Sequence, residues 1–271
     1  MTFSAKEMIK QRKSVRTFDG KTLSDEDSRN LDNYIHALTN PFDVPVEFRL
    51  LDAKEHQLSS PVIVGEHTYL AAKVKKEEHF EIAFGYSFEK ACLYVQSLGI
   101  GTVMLAASLS RSTFEKAMNV QRDEVLPTAS PVGYPAEKRS IRENLMRKGL
   151  KADERIAFGK LFFEGSFDKA LTKEAAGEYA EALEMARLAP SAGNKQPWRA
   201  VVDGSRVHFY EQKSMKDSAL GDIQKVDVGI ALCHFDLVME ESGASGRFLF
   251  EDPQIKVPEN VYYIASYERI G

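Results

Sequence analysis

Cysteine and tryptophan are the scarcest letters in these 271 residues, with two of the first and one of the second. Cys92 and Cys233 each sit inside an apolar helical pattern. That reads as two buried thiols of a reducing compartment and not as a disulfide framework. The sequence has no Cys-x-x-Cys, no His-Glu-x-x-His and no Gly-x-Ser-x-Gly, and its six histidines are scattered. Dithiol redox, zinc hydrolase and serine hydrolase chemistry therefore have no motif to rest on, and no metal site is expected. A Gly-x-Gly-x-x-Gly fingerprint is missing as well, which argues against a dedicated dinucleotide-binding domain. No apolar run approaches the roughly 20 residues that a bilayer demands. No block of one charge sign suggests a nucleic-acid arm or a membrane patch. The stretch Met1 to Arg16 reads as helical and charged, without an apolar run leading to a cleavage site. Cytoplasm is the default address.

What is present is ordinary in bulk and unusual in two places. Hydrophobic residues make up 43% and charged residues 28%, with a net charge of −4. That is the balance of a soluble globular protein with material for one large core or two modest ones. The first unusual place is Ala189-Pro190-Ser191-Ala192-Gly193-Asn194-Lys195-Gln196-Pro197-Trp198. It follows an acidic, Ala-rich run from Glu174 to Leu188 and leads into Ala200-Val201-Val202, so it reads as helix, loop, strand. Pro190 has no N–H and stops the helix. Ser191, Asn194 and Gln196 present donors and acceptors in fixed directions on a tight loop. The alternative is a polar connector. The second place is Arg12-Lys13-Ser14-Val15-Arg16-Thr17-Phe18. In an extended chain alternate residues share a face. Arg12, Ser14 and Arg16 would then offer two guanidinium groups and a hydroxyl to an anion such as a phosphate. The alternative here is a solvated basic surface or a phosphorylation site.

Together these two stretches resemble the flavin-dependent nitroreductase superfamily. Its members open with an Arg-x-Ser-x-Arg-like element that holds the phosphate and pyrimidine edge of FMN. A Pro-Ser-x-x-Asn-x-Gln-Pro-Trp element, normally from the partner subunit, lies against the same flavin. Both are nearly intact here, but 177 residues separate Ser14 from Ser191 (191 − 14), where most members space them by a few tens.

An internal duplication accounts for the spacing. Phe18-Asp19 answers Phe167-Asp168 at an offset of 149 (167 − 18), Leu23-Ser24 answers Leu171-Thr172 at 148 (171 − 23), and Arg49 answers Arg199 at 150 (199 − 49). Gly85 and Gly99 stand as far apart as Gly229 and Gly243. Coincidence between two helix–loop–strand runs is the competing account. The element pattern repeats too. Helices are expected from Ser4 to Gln11, Ser24 to about Leu38, Ala83 to Leu98 and Ser112 to Met118 in the first half. The second half calls for helices from Leu171-Thr172 to Leu188 and from Val228 to Glu241. Strands are expected at Val46–Leu51, Pro61–Val64 and Ala129–Tyr134, then at Trp198–Val202, Val207–Tyr210, Arg247–Phe250 and Val261–Tyr267, with Tyr69–His79 ambiguous. Asp203-Gly204 marks a hairpin turn. The resulting expectation is an α+β, nitroreductase-like fold with mixed or antiparallel sheets, helices packed around a pseudo-twofold interface, and halves 1–150 and 151–271. Adding 149 to Arg12, Ser14 and Arg16 gives Leu161, Phe163 and Gly165, which offer a phosphate no charge. One FMN per chain, held between the halves, is expected, and a fused pseudo-dimer has little need to dimerise, so a monomer is expected too.

The resemblance also implies roles. Arg16 would place a cation near N1 and O2 of reduced FMN and so carry the catalytic charge. Arg12 with Arg139 would neutralise the phosphate, Ser14 would add a hydrogen bond, and Lys138 would follow Arg139 in the basic run after Gly133-Tyr134-Pro135. Ser191 and Asn194 would reach the polar edges or the ribityl chain, and Pro190 would cover an apolar part of the rings. The activity implied is ping-pong hydride transfer from NADH or NADPH through FMN to a flat acceptor, a nitroaromatic, a quinone or a similar small molecule. The rival readings are an FMN-binding protein without fast turnover, and a structural protein built on a flavin-free version of the fold.

Overall fold

The computed structural model describes residues 3–270. Its backbone forms two compact units, one of Gln11–Ala152 and one of Met1–Lys10 together with Asp153–Gly271. The first helix, α1 (Ala5–Gln11), has the Ser4 hydroxyl accepting the Glu7 N–H at 3.4 Å and buries Ala5 and Ile9. Up to Lys10 it belongs to the unit built from the later sequence.

The Gln11–Ala152 unit continues with α2 (Asp25–His36), capped by Ser24, whose hydroxyl accepts the Asp27 N–H at 3.0 Å. Strands β1 (Val46–Asp52) and β2 (Thr68–Lys75) pair antiparallel, and α3 (Phe80–Ser97) follows. Then come β3 (Gly101–Thr102), α4 (Arg111–Ala117), β4 (Glu124–Val125), β5 (Ala129–Gly133) and α5 (Ile141–Gly149). The sheet runs β1-β2-β5-β3, with β4 also on β2. Val15, Phe18, Tyr69, Phe114, Leu126 and Ala129 lie in one buried apolar cluster of this unit.

The other unit adds α6 (Phe158–Leu161), β6 (Phe162–Glu164), α7 (Lys173–Ala176) and α8 (Ala180–Arg187). Its hairpin β7 (Trp198–Asp203) and β8 (Arg206–Gln212) precedes the long α9 (Ile223–Glu241), and β9 (Ser245–Leu249) and β10 (Val261–Ile270) close the chain. The sheet order is β6-β7-β8-β10-β9, with β6 parallel to β7 and the other neighbours antiparallel.

Apart from β4 and β6, both units obey one scheme. A hairpin is followed by a long helix, a short edge strand and a strand that slots between that edge and the hairpin. Both long helices are buried along most of their length, as a helix covering a sheet requires. Gly99 and Gly243 follow them with φ of 75° and 82°, the left-handed stop expected of glycine after a helix.

Besides the unforeseen α5, β4 and β6, three stretches differ from the sequence expectation. Pro61–Val64 is no strand: only Val64 pairs, in a single bridge with Thr17, since Pro61 has no N–H to give a ladder. The ambiguous Tyr69 region is β2, buried over most of its length. The helix expected from Thr172 to Leu188 is broken at Gly177, whose φ of 53° leaves the helical region, so α7 and α8 are joined by a 3-10 turn over Gly177–Tyr179.

Candidate functional site

The segment after α1 is extended and pinned on three sides. Val15 N–H donates to the Thr102 carbonyl at 2.9 Å, and Ser14 makes a parallel bridge to Thr102. Val64 N–H donates to the Arg16 carbonyl at 3.0 Å, and Ala136 N–H donates to the Thr17 carbonyl at 3.0 Å. Val15 is buried, as the alternation requires, and packs so closely on Gly101 that a Cβ there would lie 2.8 Å from the Val15 Cβ. This contact sets which way Ser14 and Arg16 face.

The two arginines meet different surroundings. Arg12 Nε lies 3.3 Å from Oε1 of Glu89, and both side chains are nearly or wholly buried. Arg12 is thus held by a carboxylate of α3. The Arg16 side chain has no hydrogen-bond partner among the described residues, and its Nε is buried without an acceptor. Burial lowers its pKa from the ordinary arginine value, the Glu143 carboxylate opposes that shift and the nearby Arg147 adds to it. A buried guanidinium nitrogen lacking an acceptor is a costly arrangement, and a carbonyl or ring nitrogen of a bound molecule would relieve it. This orphaned donor is where the residues fit a flavin best.

Glu143 organises the basic residues after β5. It is 2% exposed. Its Oε2 accepts the Arg16 N–H at 3.3 Å and the Thr17 hydroxyl at 2.8 Å, and its Oε1 lies 3.7 Å from Arg139 Nε. The signal that could have found it is Ser140-Ile141-Arg142-Glu143, a capping-box pattern. Ser140 does cap α5, its hydroxyl accepting the Glu143 N–H at 3.1 Å. The usual return contact is replaced, because Ser140 N–H donates to the Thr17 hydroxyl at 3.1 Å, and the Glu143 carboxylate turns to the Arg12–Phe18 segment instead. Within this unit Arg16 and Arg139 thus come together around Glu143, while Arg12 is drawn to Glu89. Lys138 is exposed, and Arg142 donates to the Pro61 carbonyl. The N–H groups of Val103 and Leu105 are committed to the Ser130 hydroxyl and the Ala129 carbonyl.

In the other unit the loop after α8 is held from within. Gly193, Asn194 and Gln196 take φ of 57°, 55° and 50°, so the backbone doubles back tightly. Gln196 N–H donates to the Ser191 hydroxyl at 2.9 Å, Ile156 N–H donates to Gln196 Oε1 at 2.8 Å, and Asn194 Nδ2 donates to the Glu154 carbonyl at 3.1 Å. Ser191 and Asn194 both shape the loop. Pro190 is partly exposed. A residue that sequence reasoning missed, Asp227 of α9, accepts the Ala192 N–H with both carboxylate oxygens, at 3.1 and 3.0 Å. Burial pushes the Asp227 carboxyl well above the usual range, opposed by that hydrogen bond and reinforced by Asp222 and Glu211. Its only sequence signal is an acidic residue within an apolar helix.

No group of three or more His, Cys, Asp or Glu among the described residues is placed to hold a metal ion. No helix among them is long and apolar enough to cross a membrane.

These mixed α+β units, each a five-stranded sheet with a hairpin and a long helix, define a nitroreductase-like fold. A family model described as "Putative TM nitroreductase" matches residues 4–239, and the chain belongs to that family, which makes it an oxidoreductase in the broad sense. The crystal structure of a protein described as a "putative nitroreductase" from Thermotoga maritima MSB8 aligns over 100% of this chain and 94% of its own, with a TM-score of 0.64 and 20% identity. An oxidoreductase containing FMN aligns over 62% of this chain and 93% of its own, with a TM-score of 0.50 and 12% identity. An FMN-dependent nitroreductase from Clostridium difficile R20291 aligns over 52% and 94%, with a TM-score of 0.40 and 13% identity. At these identities the likeness is one of fold. No curated protein matches the chain.

Proposed function

We propose that this protein is an FMN-dependent NAD(P)H oxidoreductase that reduces a flat small molecule, a nitroaromatic, a quinone or a similar acceptor, with one FMN per chain. Family membership supports the oxidoreductase class, and the orphaned guanidinium of Arg16 is the observation that carries the rest. Bound FMN would take a hydride from NADH or NADPH and deliver it to the acceptor in a ping-pong cycle. The chain's part is positioning and electrostatics. Arg16 supplies a desolvated positive charge with an open donor, the environment in which a charge stabilises most. Ser14 and Arg139 stand in the same unit as further donors, with Lys138 next to Arg139. Asp227, by holding Ala192, fixes the loop that presents Pro190, Ser191 and Asn194. A fused pseudo-dimer of this kind is proposed to act as a monomer.

A second reading, an FMN-binding protein without fast turnover, is favoured by one observation. Arg12 is already neutralised by Glu89, which leaves fewer free cations for a phosphate than the motif promises. The pure protein should show the flavin absorbance band at about one flavin per chain, as the single-site reading requires. Arg16→Ala should lose it while keeping the unfolding midpoint. Retention of flavin by Arg16→Ala at the wild-type ratio would sink the assignment. Anaerobic mixing with NADH or NADPH then decides between the two readings, since bleaching supports the enzyme and its absence with both reductants supports the binder.

A further inference from the structure

Glu143 is an odd residue to find among cations meant for a phosphate. From residue 137 to residue 148 the sequence carries Lys138, Arg139, Arg142, Arg147 and Lys148 against Glu137 and Glu143. Of the two acids, Glu137 is exposed and Glu143 is buried. The Glu143 carboxylate accepts a backbone N–H from Arg16 at 3.3 Å and a hydroxyl from Thr17 at 2.8 Å, and it faces Arg139 Nε at 3.7 Å. A backbone N–H, a hydroxyl and a guanidinium are the donors a protein offers to a bound oxyanion. Here a side chain of the same protein fills the acceptor position.

We propose that Glu143 is a specificity-determining residue that acts as an internal anion in this donor set, so that the phosphate of a flavin must compete with it and the protein discriminates poorly between FMN and riboflavin. The inference rests on the FMN reading above. It follows from charge. The donor that the phosphate would share with Glu143 is Arg139, whose Nε lies 3.7 Å from Glu143 Oε1, and two acceptors of the same sign cannot share it without repulsion, so either the carboxylate leaves as the phosphate binds or the phosphate binds weakly. A flavin without the phosphate meets no such conflict. Arg12, tied to Glu89, does not tip the balance back.

The test measures dissociation constants of FMN and riboflavin by quenching of flavin fluorescence, for wild type, Glu143→Gln and Glu137→Gln. Glu143→Gln keeps the shape and an oxygen to accept from Arg16 and Thr17. It should tighten FMN about tenfold, the equivalent of about 1.4 kcal/mol, and leave riboflavin within about twofold. Glu137→Gln, which removes a nearby exposed charge, should change neither. Thr17→Ala loosens the hold on Glu143 by another route and should shift the FMN-to-riboflavin ratio the same way by a smaller factor; it serves if the Gln variant does not fold. An unchanged or lowered ratio in Glu143→Gln, or an equal effect in Glu137→Gln, overturns the proposal. If neither flavin binds to any variant, the FMN reading fails and inorganic phosphate decides the rest. A larger rise in unfolding midpoint with phosphate for Glu143→Gln than for wild type keeps Glu143 as an internal anion, and equal rises end that idea too.

Discussion

Burial is what separates the arginines of the first motif. Arg12 and Arg16 share one periodicity, yet Arg12 meets a carboxylate of α3 and Arg16 meets none among the described residues as a hydrogen-bond partner. Replacing Arg12 therefore disturbs a buried ion pair, a change that typically destabilises by about 3–5 kcal/mol, and confounds a binding test that Arg16→Ala leaves clean. The acidic residues differ in the same way. Glu211 on β8 is fully buried, and neither of its oxygens accepts a hydrogen bond among the described residues. Burial first and the negative charge of Asp222 second push it up to about 7, against the pull of Lys213. A carboxyl raised on folding keeps a proton that the unfolded chain gives up. Its contribution to stability is full below about pH 4.5 and is lost as pH rises through about 7. The Glu211→Gln variant should flatten this: the gap in unfolding midpoint between variant and wild type should widen in favour of the variant from pH 5 to pH 8. Taking the difference between the two proteins cancels His208, whose burial-lowered pKa acts with the opposite sign.

At the scale of elements, one close contact orients the motif. Gly101, the first residue of β3, lies against Val15, and β3 pairs with β5 from Gly101↔Gly133 to Thr102↔Val132. An added methyl has no flexible chain end to push aside, because its nearest neighbours are the branched carbons of Val15. Gly101→Ala should destabilise by about 1–3 kcal/mol as an overpacked contact, measured by urea unfolding. It should also weaken flavin retention by turning Ser14 and Arg16. Stability unchanged within error would mean that Val15 has room to yield. The loop from Ala189 to Pro197 shows the complementary case. Its polar side chains look like ligands in sequence, and in the fold several of them hydrogen-bond to the loop's own backbone and to Glu154 and Ile156.

Over the whole molecule, chain order and unit order part company. The N-terminal helix lies with the later sequence. Ser4 Oγ donates to Glu241 Oε1 at 2.6 Å, Lys6 N–H donates to Glu241 Oε2 at 3.0 Å, and Lys6 Nζ meets Glu181 at 3.1 Å. Removing residues 1–10 should raise amide exchange in α8 and α9 and leave β1 and β2 protected, since Ser4 and Lys6 bond to Glu241 and Glu181, the segment belongs to that unit, and Ala5 and Ile9 are buried, a buried Ile contributing about 1.5–3 kcal/mol. Equal loss of protection in β1 and β2 would refute that division.

Sequence alone determined the class of fold and most helices and strands, and it singled out Arg12–Phe18 and Ala189–Trp198 as the two stretches richest in directed polar groups. Those are local or periodic properties: a proline that ends a helix, an alternation that orients a strand, a glycine that closes a helix. It did not reveal α5, although Ser140 and Glu143 carried a capping signature, nor the break at Gly177. Only the tertiary structure decided which donor each buried carboxylate meets. Glu89, Glu143 and Asp227 reach Arg12, Arg16 and Ala192 across separations of 77 (89 − 12), 127 (143 − 16) and 35 residues (227 − 192). Partners so far apart are chosen by packing and by the cost of leaving a buried polar group unpaired, and no spacing along the chain encodes them.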